Sequence, residues 1–187
     1  METIDFKNLI IKLEQEHYPR DPRKEFDHLG TMAFYSKKYS LGDKPQLNIV
    51  DCQAIETNKA FLSLPVYMYD HSGITISTKP FGCHWDSGKL GIIYCEYAKA
   101  RKEGLNPSKL KALLESEVKE YDQYLTGDVW CYSIETTDKE QLDSCCGFYG
   151  YSYCLAEAKT AAMWWYKELK RKALQEAKEH SWYTSQL

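Results

Sequence analysis

YDHSGITISTKPFGCHWDSGKLGIIY, Tyr69–Tyr94, decides how the chain is read. Its apolar residues alternate as in half-buried strands, and Gly-bearing turns interrupt them, so the spacing predicts strands over Leu64 to Tyr69, Ile74 to Thr78 and Leu90 to Tyr97. Short links between consecutive strands favour antiparallel pairing, which puts a meander at the centre of the fold. The turns carry Asp70, His71, Ser72 and Gly73 in one D-x-S-G block, and Trp85, Asp86, Ser87 and Gly88 in a W-D-S-G block. Asp143, Ser144 and Gly147 repeat the theme. Each block is explained locally: Asp and Ser side chains cap tight turns, and Gly takes positive φ.

Chemistry beyond turn formation depends on convergence. In a simple meander the two blocks lie at opposite ends of the sheet. Pro80 and Gly82 break the ladder between Thr78 and Cys83, so this segment can fold back and bring Asp70, His71 and Asp86 together. Two carboxylates beside an imidazole can relay a proton or hold a divalent ion, although no metal or acid–base signature matches this spacing. Nucleophile readings are weaker. Ser72 lacks the G-x-S-x-G elbow. Cys83 and His84 are sequence neighbours, and neighbours on an extended backbone point to opposite sides. Neither a P-loop nor G-x-G-x-x-G is present, so no motif implies a nucleotide or other cofactor.

The flanking sequence predicts the rest of an α+β fold. Phe6, Leu9, Ile10 and Leu13, behind Thr3 as N-cap, predict a helix over Asp5 to Glu16. YPRDPRKEFDHLG is a loop with Arg20, Arg23 and Lys24 on a basic side, either anion-contacting or solvated. Thr31 to Ser40 predicts a strand, and Leu47, Val50, Ala54 and Phe61 a helical stripe. Asn106 as N-cap, Pro107 at N1 and Gly127 as stop bracket a helix with Leu110, Leu114, Val118, Tyr121 and Leu125 on one face. DVWCYSIET returns to strand, and DSCCGFYGY is a short strand or bulged edge. A long helix over about Tyr153 to Glu179 carries Leu155, Ala158, Ala162, Trp165, Leu169 and Ala173 on one stripe as an appended element. Trp164 points off that stripe, into the core as tryptophan usually does, or into a protein interface. The expectation is one domain over 1–187, a mainly antiparallel sheet of four to six strands packed by several helices.

Composition bounds the function. At 187 residues with 43% hydrophobic and 27% charged residues, the chain is an ordinary folded domain. A net charge of −3 argues against a binder that relies on neutralising phosphates, so direct sequence-specific nucleic-acid contact is not expected. The chain has no apolar run long enough for a membrane span and no basic n-region at its start, which points to a cytoplasmic protein. Seven cysteines without CxxC point to reduced thiols, and a zinc site would need scattered residues such as Cys83, His84, Cys145 and Cys146.

Several blocks together, DPR, LGTM, YSLGD, LPVYMYDHSGITIST, PFGCHWDSGKLGIIY, EVKEYDQYLTGDVW and DSCCGFYG, resemble a family of small proteins of bacteriophages and other mobile elements. The resemblance spans about Asp21 to Gly150 and implies no activity. It favours Asp70, His71, Trp85 and Asp86 as shared positions over His84, where the family commonly has proline. Three readings follow. The first is an inhibitor of a host defence enzyme, of anti-CRISPR or anti-restriction class, gripping a host nuclease through Trp85, Trp164 and Trp182. The second is a small hydrolytic or metal-dependent enzyme using Asp70, His71 and Asp86. The third is a virion or oligomeric protein assembled through its terminal helix.

Overall fold

The computed structural model describes residues 1–35, 38–43, 47–83 and 85–184. They form an α+β fold whose strands divide between two four-stranded antiparallel sheets rather than joining in one. One compact unit comprises Met1–Tyr18 and the chain from Asp128 onward; the other, Pro19–Gly127, is inserted between them in sequence.

The first unit begins with a correction. No helix forms over 5–16; Glu2–Phe6 (β1) and Leu9–Gln15 (β2) make a hairpin. Lys7 and Asn8 between them both have positive φ, as a two-residue hairpin turn requires, and Asn tolerates that region. Leu9, Ile11 and Leu13 are buried at a period of two, which defeats the looser helical match of Phe6, Leu9, Ile10 and Leu13. Strand β2 then pairs with Val129–Thr136 (β7), and β7 with Gln141–Tyr149 (β8), giving the order β1-β2-β7-β8. The DSCCG block is therefore strand, bulged where Gly147 adopts φ +85°. Tyr151–Thr184 (α5) lays Cys154, Ala158 and Ala162, all fully buried, on Leu9, Ile11, Tyr132 and Ile134. Leu155, Trp165 and Leu169 continue the contact. The helix is thus the second layer of this unit through Leu169, and residues 170–180 beyond it are exposed. Trp164 is 58% exposed and meets only the edge of Trp165 among its ring contacts, so it is not a core residue.

One further expectation fails here. Cys131 and Cys146 are joined by a disulfide across β7 and β8, whereas Cys52, Cys83, Cys95, Cys145 and Cys154 are free thiols.

In the second unit, Thr31–Phe34 (β3), Phe61–Asp70 (β4), Ile74–Ser77 (β5) and Ser87–Glu96 (β6) form a sheet in the order β3-β6-β4-β5. Strand β4 pairs with both β5 and β6, so the link between β5 and β6 crosses the end of β4. The strand expected over Thr31 to Ser40 stops at Phe34, and residues 36 and 37 lie outside the described residues. Ile49–Thr57 (α2) starts at Asn48, whose side chain accepts from the amides of Val50 and Asp51. It buries Cys52 and packs Leu47 and Ile55, while Val50 and Ala54 are exposed and Phe61 belongs to β4, so the buried face of the helix lies one to two residues away from the expected stripe. Tyr97–Lys102 (α3) is a short helix absent from the sequence reading.

Pro107–Thr126 (α4) matches expectation in full. Asn106 accepts from the amide of Lys109, Gly127 closes the helix at φ +73°, and Leu110, Leu114, Val118 and Tyr121 are buried. Full burial of each such leucine stabilises by roughly 1.5–3 kcal/mol.

The same helix buries a charge. Glu117 lies one turn from Leu114 and accepts from the amides of Leu29 and Gly30 at 3.1 Å each. It also meets Arg23 Nη1 at 2.9 Å. Arg23, only 2% exposed, forks its other nitrogens onto both oxygens of Asp43 and onto the carbonyl of Gly30. Asp43 Oδ2 in turn accepts from Met32 N at 2.8 Å. Neither an anion-contacting nor a solvated loop describes Arg23: residues Pro22–Glu25 form a short helix (α1) that delivers it inward. Burial opposes its charge, but Asp43 and Glu117 outweigh that cost and raise its pKa. Gly30 is required here, because a Cβ at that position would sit 2.9 Å from Glu117 Oε2 and 2.5 Å from Leu114 Cδ2.

Removing Arg23 strands two carboxylates out of water. Arg23→Met is expected to destabilise the second unit by about 3–5 kcal/mol, read as a lowered urea midpoint. Arg23→Lys is expected to recover only part of this, since an ammonium cannot serve three acceptors in one plane.

Candidate functional site

Asp70 ends β4, and Asp86 immediately precedes β6, which pairs with β4 from Tyr69↔Ser87 onward. Asp70 N donates to Asp86 O at 2.8 Å, extending the ladder by one bond. Because the 78–86 segment crosses the end of β4, the D-x-S-G and W-D-S-G blocks share one end of the sheet. Asp70, His71 and Asp86 do converge.

They converge as two pairs with different partners. Asp70 Oδ2 accepts from Lys38 Nζ at 2.7 Å and Tyr39 Oη at 2.6 Å. Asp86 Oδ2 lies 3.3 Å from His71 Nδ1 and accepts from the Cys83 thiol at 3.9 Å. The imidazole stacks on Tyr69, whose ring also meets Phe81. Ser87 Oγ donates to the Cys83 carbonyl, closing the end of the crossing segment. The first turn also departs from the expected glycine chemistry. Ser72 carries φ +60°, while Gly73 lies outside the positive-φ region.

The electrostatics favour fixed charge over proton transfer. Lys38, and next to it Tyr39, hold the Asp70 carboxyl below its ordinary range, and Asp70 in turn raises Lys38. A general acid or base working near neutrality needs the opposite shift for a carboxyl. His71 and Asp86 are 66% and 41% exposed, so bulk water competes for their contact. The order thiol, carboxylate, imidazole also sets the Cys83 sulfur beside Asp86 and not beside His71, whereas nucleophilic activation by histidine needs the imidazole next to the sulfur. Among the described residues no group of three or more His, Cys, Asp or Glu side chains is arranged to hold a metal ion. His84 lies outside the described residues.

Trp85, inside this crossing segment, is 96% exposed. Trp182 is exposed too, on the outer part of α5, and it belongs to the other unit together with Trp164. Sequence reasoning missed Lys38 and Tyr39, because nothing in KKYS signals a carboxylate partner more than thirty positions away. It also missed a groove of about 420 Å³ beside α4, lined by His28, Leu29, Lys99, Leu105 and Leu113 among others. Asp70, His71 and Asp86 do not line it. The polar groups of His28 are engaged there: Nε2 with Glu120 at 3.0 Å and Nδ1 with the Phe26 carbonyl at 3.1 Å.

No family model matches the chain, nor does any curated protein or solved structure. Among the described residues no helix is long and apolar enough to cross a membrane.

Two titrations test these electrostatics. The Asp70 carboxyl, followed by NMR, is expected to titrate below the ordinary aspartate midpoint of about 3.9 and to return toward it in Lys38→Met. Glu120, ahead of the opposing effect of burial, raises the pKa of His28. That stabilisation is therefore complete below about 6.5, the unfolded histidine value, and is lost as pH rises through the higher folded value. Glu120→Gln is expected to flatten this fall in urea midpoint above pH 6.5.

Proposed function

We propose that this protein acts by binding: it is a mobile-element protein that occupies and inhibits a host defence enzyme of the anti-CRISPR or anti-restriction class. The observation that carries the reading is Trp85, 96% exposed at a sheet end braced by the Lys38–Asp70–Tyr39 contacts and the His71–Asp86 pair. An indole left in water on an anchored segment gains its burial only when a partner covers it, and tryptophan is enriched among residues that dominate interfaces. The resemblance of the surrounding blocks to mobile-element proteins supplies the biological class. The net charge of −3 suits a target surface built for nucleic acid, which an acidic protein can occupy with carboxylates such as Asp86. Trp164 and Trp182 offer a second aromatic surface on the other unit.

The convergence of Asp70, His71 and Asp86 favours a second reading, a small hydrolytic enzyme in which the His71–Asp86 pair moves a proton. The two readings separate cleanly. Cells with active restriction or CRISPR immunity, challenged by phage, are expected to regain protection when the expressed chain carries Trp85→Ala in place of the unaltered chain, with inhibition of the purified nuclease weakened about thirty-fold, as for an interface hot spot. His71→Gln, which keeps a hydrogen-bonding side chain but abolishes proton transfer near neutrality, is expected to leave inhibition unchanged. Loss of all effect in His71→Gln with full activity in Trp85→Ala would reverse the assignment.

A further inference from the structure

The β7–β8 hairpin concentrates cysteine chemistry that the proposed function does not use. Of the free thiols, Cys52, Cys95 and Cys154 are buried, and burial pushes Cys154 up to about 11. Such thiols react slowly. The hairpin differs. Cys131 is buried in β7, whereas its disulfide partner Cys146 is exposed on β8, the edge strand of its sheet. The register slips between Trp130 and Tyr132: Trp130 opposes Phe148 and Tyr132 opposes Cys145, leaving Cys131 against Cys146 and Gly147. One sulfur of the bond therefore sits at an exposed bulge, where among the described residues β8 has no strand on its outer side. Cys145 is exposed as well, but it belongs to the Tyr132 pair, and successive strand residues point to opposite faces. Its thiol is on the wrong side to attack the bond beside it.

We infer that this hairpin is a thiol–disulfide exchange site taking a small external thiol of the glutathione class. The thiolate attacks Cys146 Sγ, forming a mixed disulfide there and expelling Cys131 as its thiolate. A second thiol then attacks the mixed disulfide, leaving Cys146 as a thiolate and carrying away the small-molecule disulfide. Two external thiols lose two electrons and the protein bond gains them; the reverse sequence, driven by the small disulfide, reforms the link. The bond closes a loop with a sequence separation of 15 residues. Cutting it therefore releases β8 from β7 at the bulge, raising the opening equilibrium of the hairpin by on the order of a hundred-fold.

The full-length protein, equilibrated with reduced and oxidised glutathione, quenched with acid, alkylated and mapped by mass spectrometry, tests this. The expected result is glutathione on Cys146 with Cys131 alkylated, reversible on reoxidation, and amide exchange accelerated over Gln141–Tyr149 while α4 is unaffected. In Cys131→Ser, which removes the returning thiol, the Cys146 adduct is expected to accumulate; Cys145→Ser is expected to change nothing. A bond that yields to glutathione only under denaturing conditions, an adduct on Cys145 instead, or free Cys131 and Cys146 thiols under oxidising glutathione would each overturn the inference.

Discussion

A guanidinium taken out of water must find acceptors for all its donors, and in the second unit that requirement joins three distant segments. Arg23 comes from α1, Asp43 from the loop after β3, and Glu117 from the middle of α4. Their contacts extend to the backbone of Leu29, Gly30 and Met32, so helix, loop and sheet hold one geometry or none. An apolar replacement of the whole set could match its stability, since buried ion pairs repay little net energy. What the set supplies is registration. With three acceptors in fixed directions, α4 cannot slide by a turn without stranding a charge, and α4 is the helix whose Asp122 fixes β5 through Thr75 and the amide of Ile76.

That registration reaches the candidate site through β5. Holding β5 on the far side of β4 from β6 forces the following segment across the end of β4, which carries Trp85 and Asp86 beside Asp70 and His71. Proximity alone does not make a proton relay. Lys38 pins the Asp70 carboxyl in its charged form, and Asp86 faces solvent with His71, so the cluster behaves as a brace for an exposed loop. A braced loop bearing one exposed indole suits recognition, because little ordering entropy remains to be lost on binding.

The first unit solves a different problem. Its sheet has one face covered by α5, and among the described residues its outer strand β8 pairs with one strand, β7. Asp128 helps bind the helix start to the sheet, accepting from Tyr151 N and Trp130 Nε1. The disulfide acts on the strand that these contacts leave at the edge.

Elements whose signals are local were legible in the sequence. Asn106, Pro107 and Gly127 bracket α4 because capping and termination use residues within one turn, and the alternation around Tyr69–Tyr94 marks strands because pleating is a two-residue property. The α+β class and the long terminal helix follow from the same periodicities. Where two periods compete, as over Leu9, Ile10 and Leu13, the local pattern does not decide between helix and strand: the pairing of β2 with β7, more than a hundred residues away, does. The division into two sheets, the Cys131–Cys146 bond, the burial of Arg23 and the joining of Lys38 to Asp70 were decided only in three dimensions. Each depends on which distant segment supplies the partner for an edge, a thiol or a charge, and residue identity along the chain states the need for a partner without saying where it will come from.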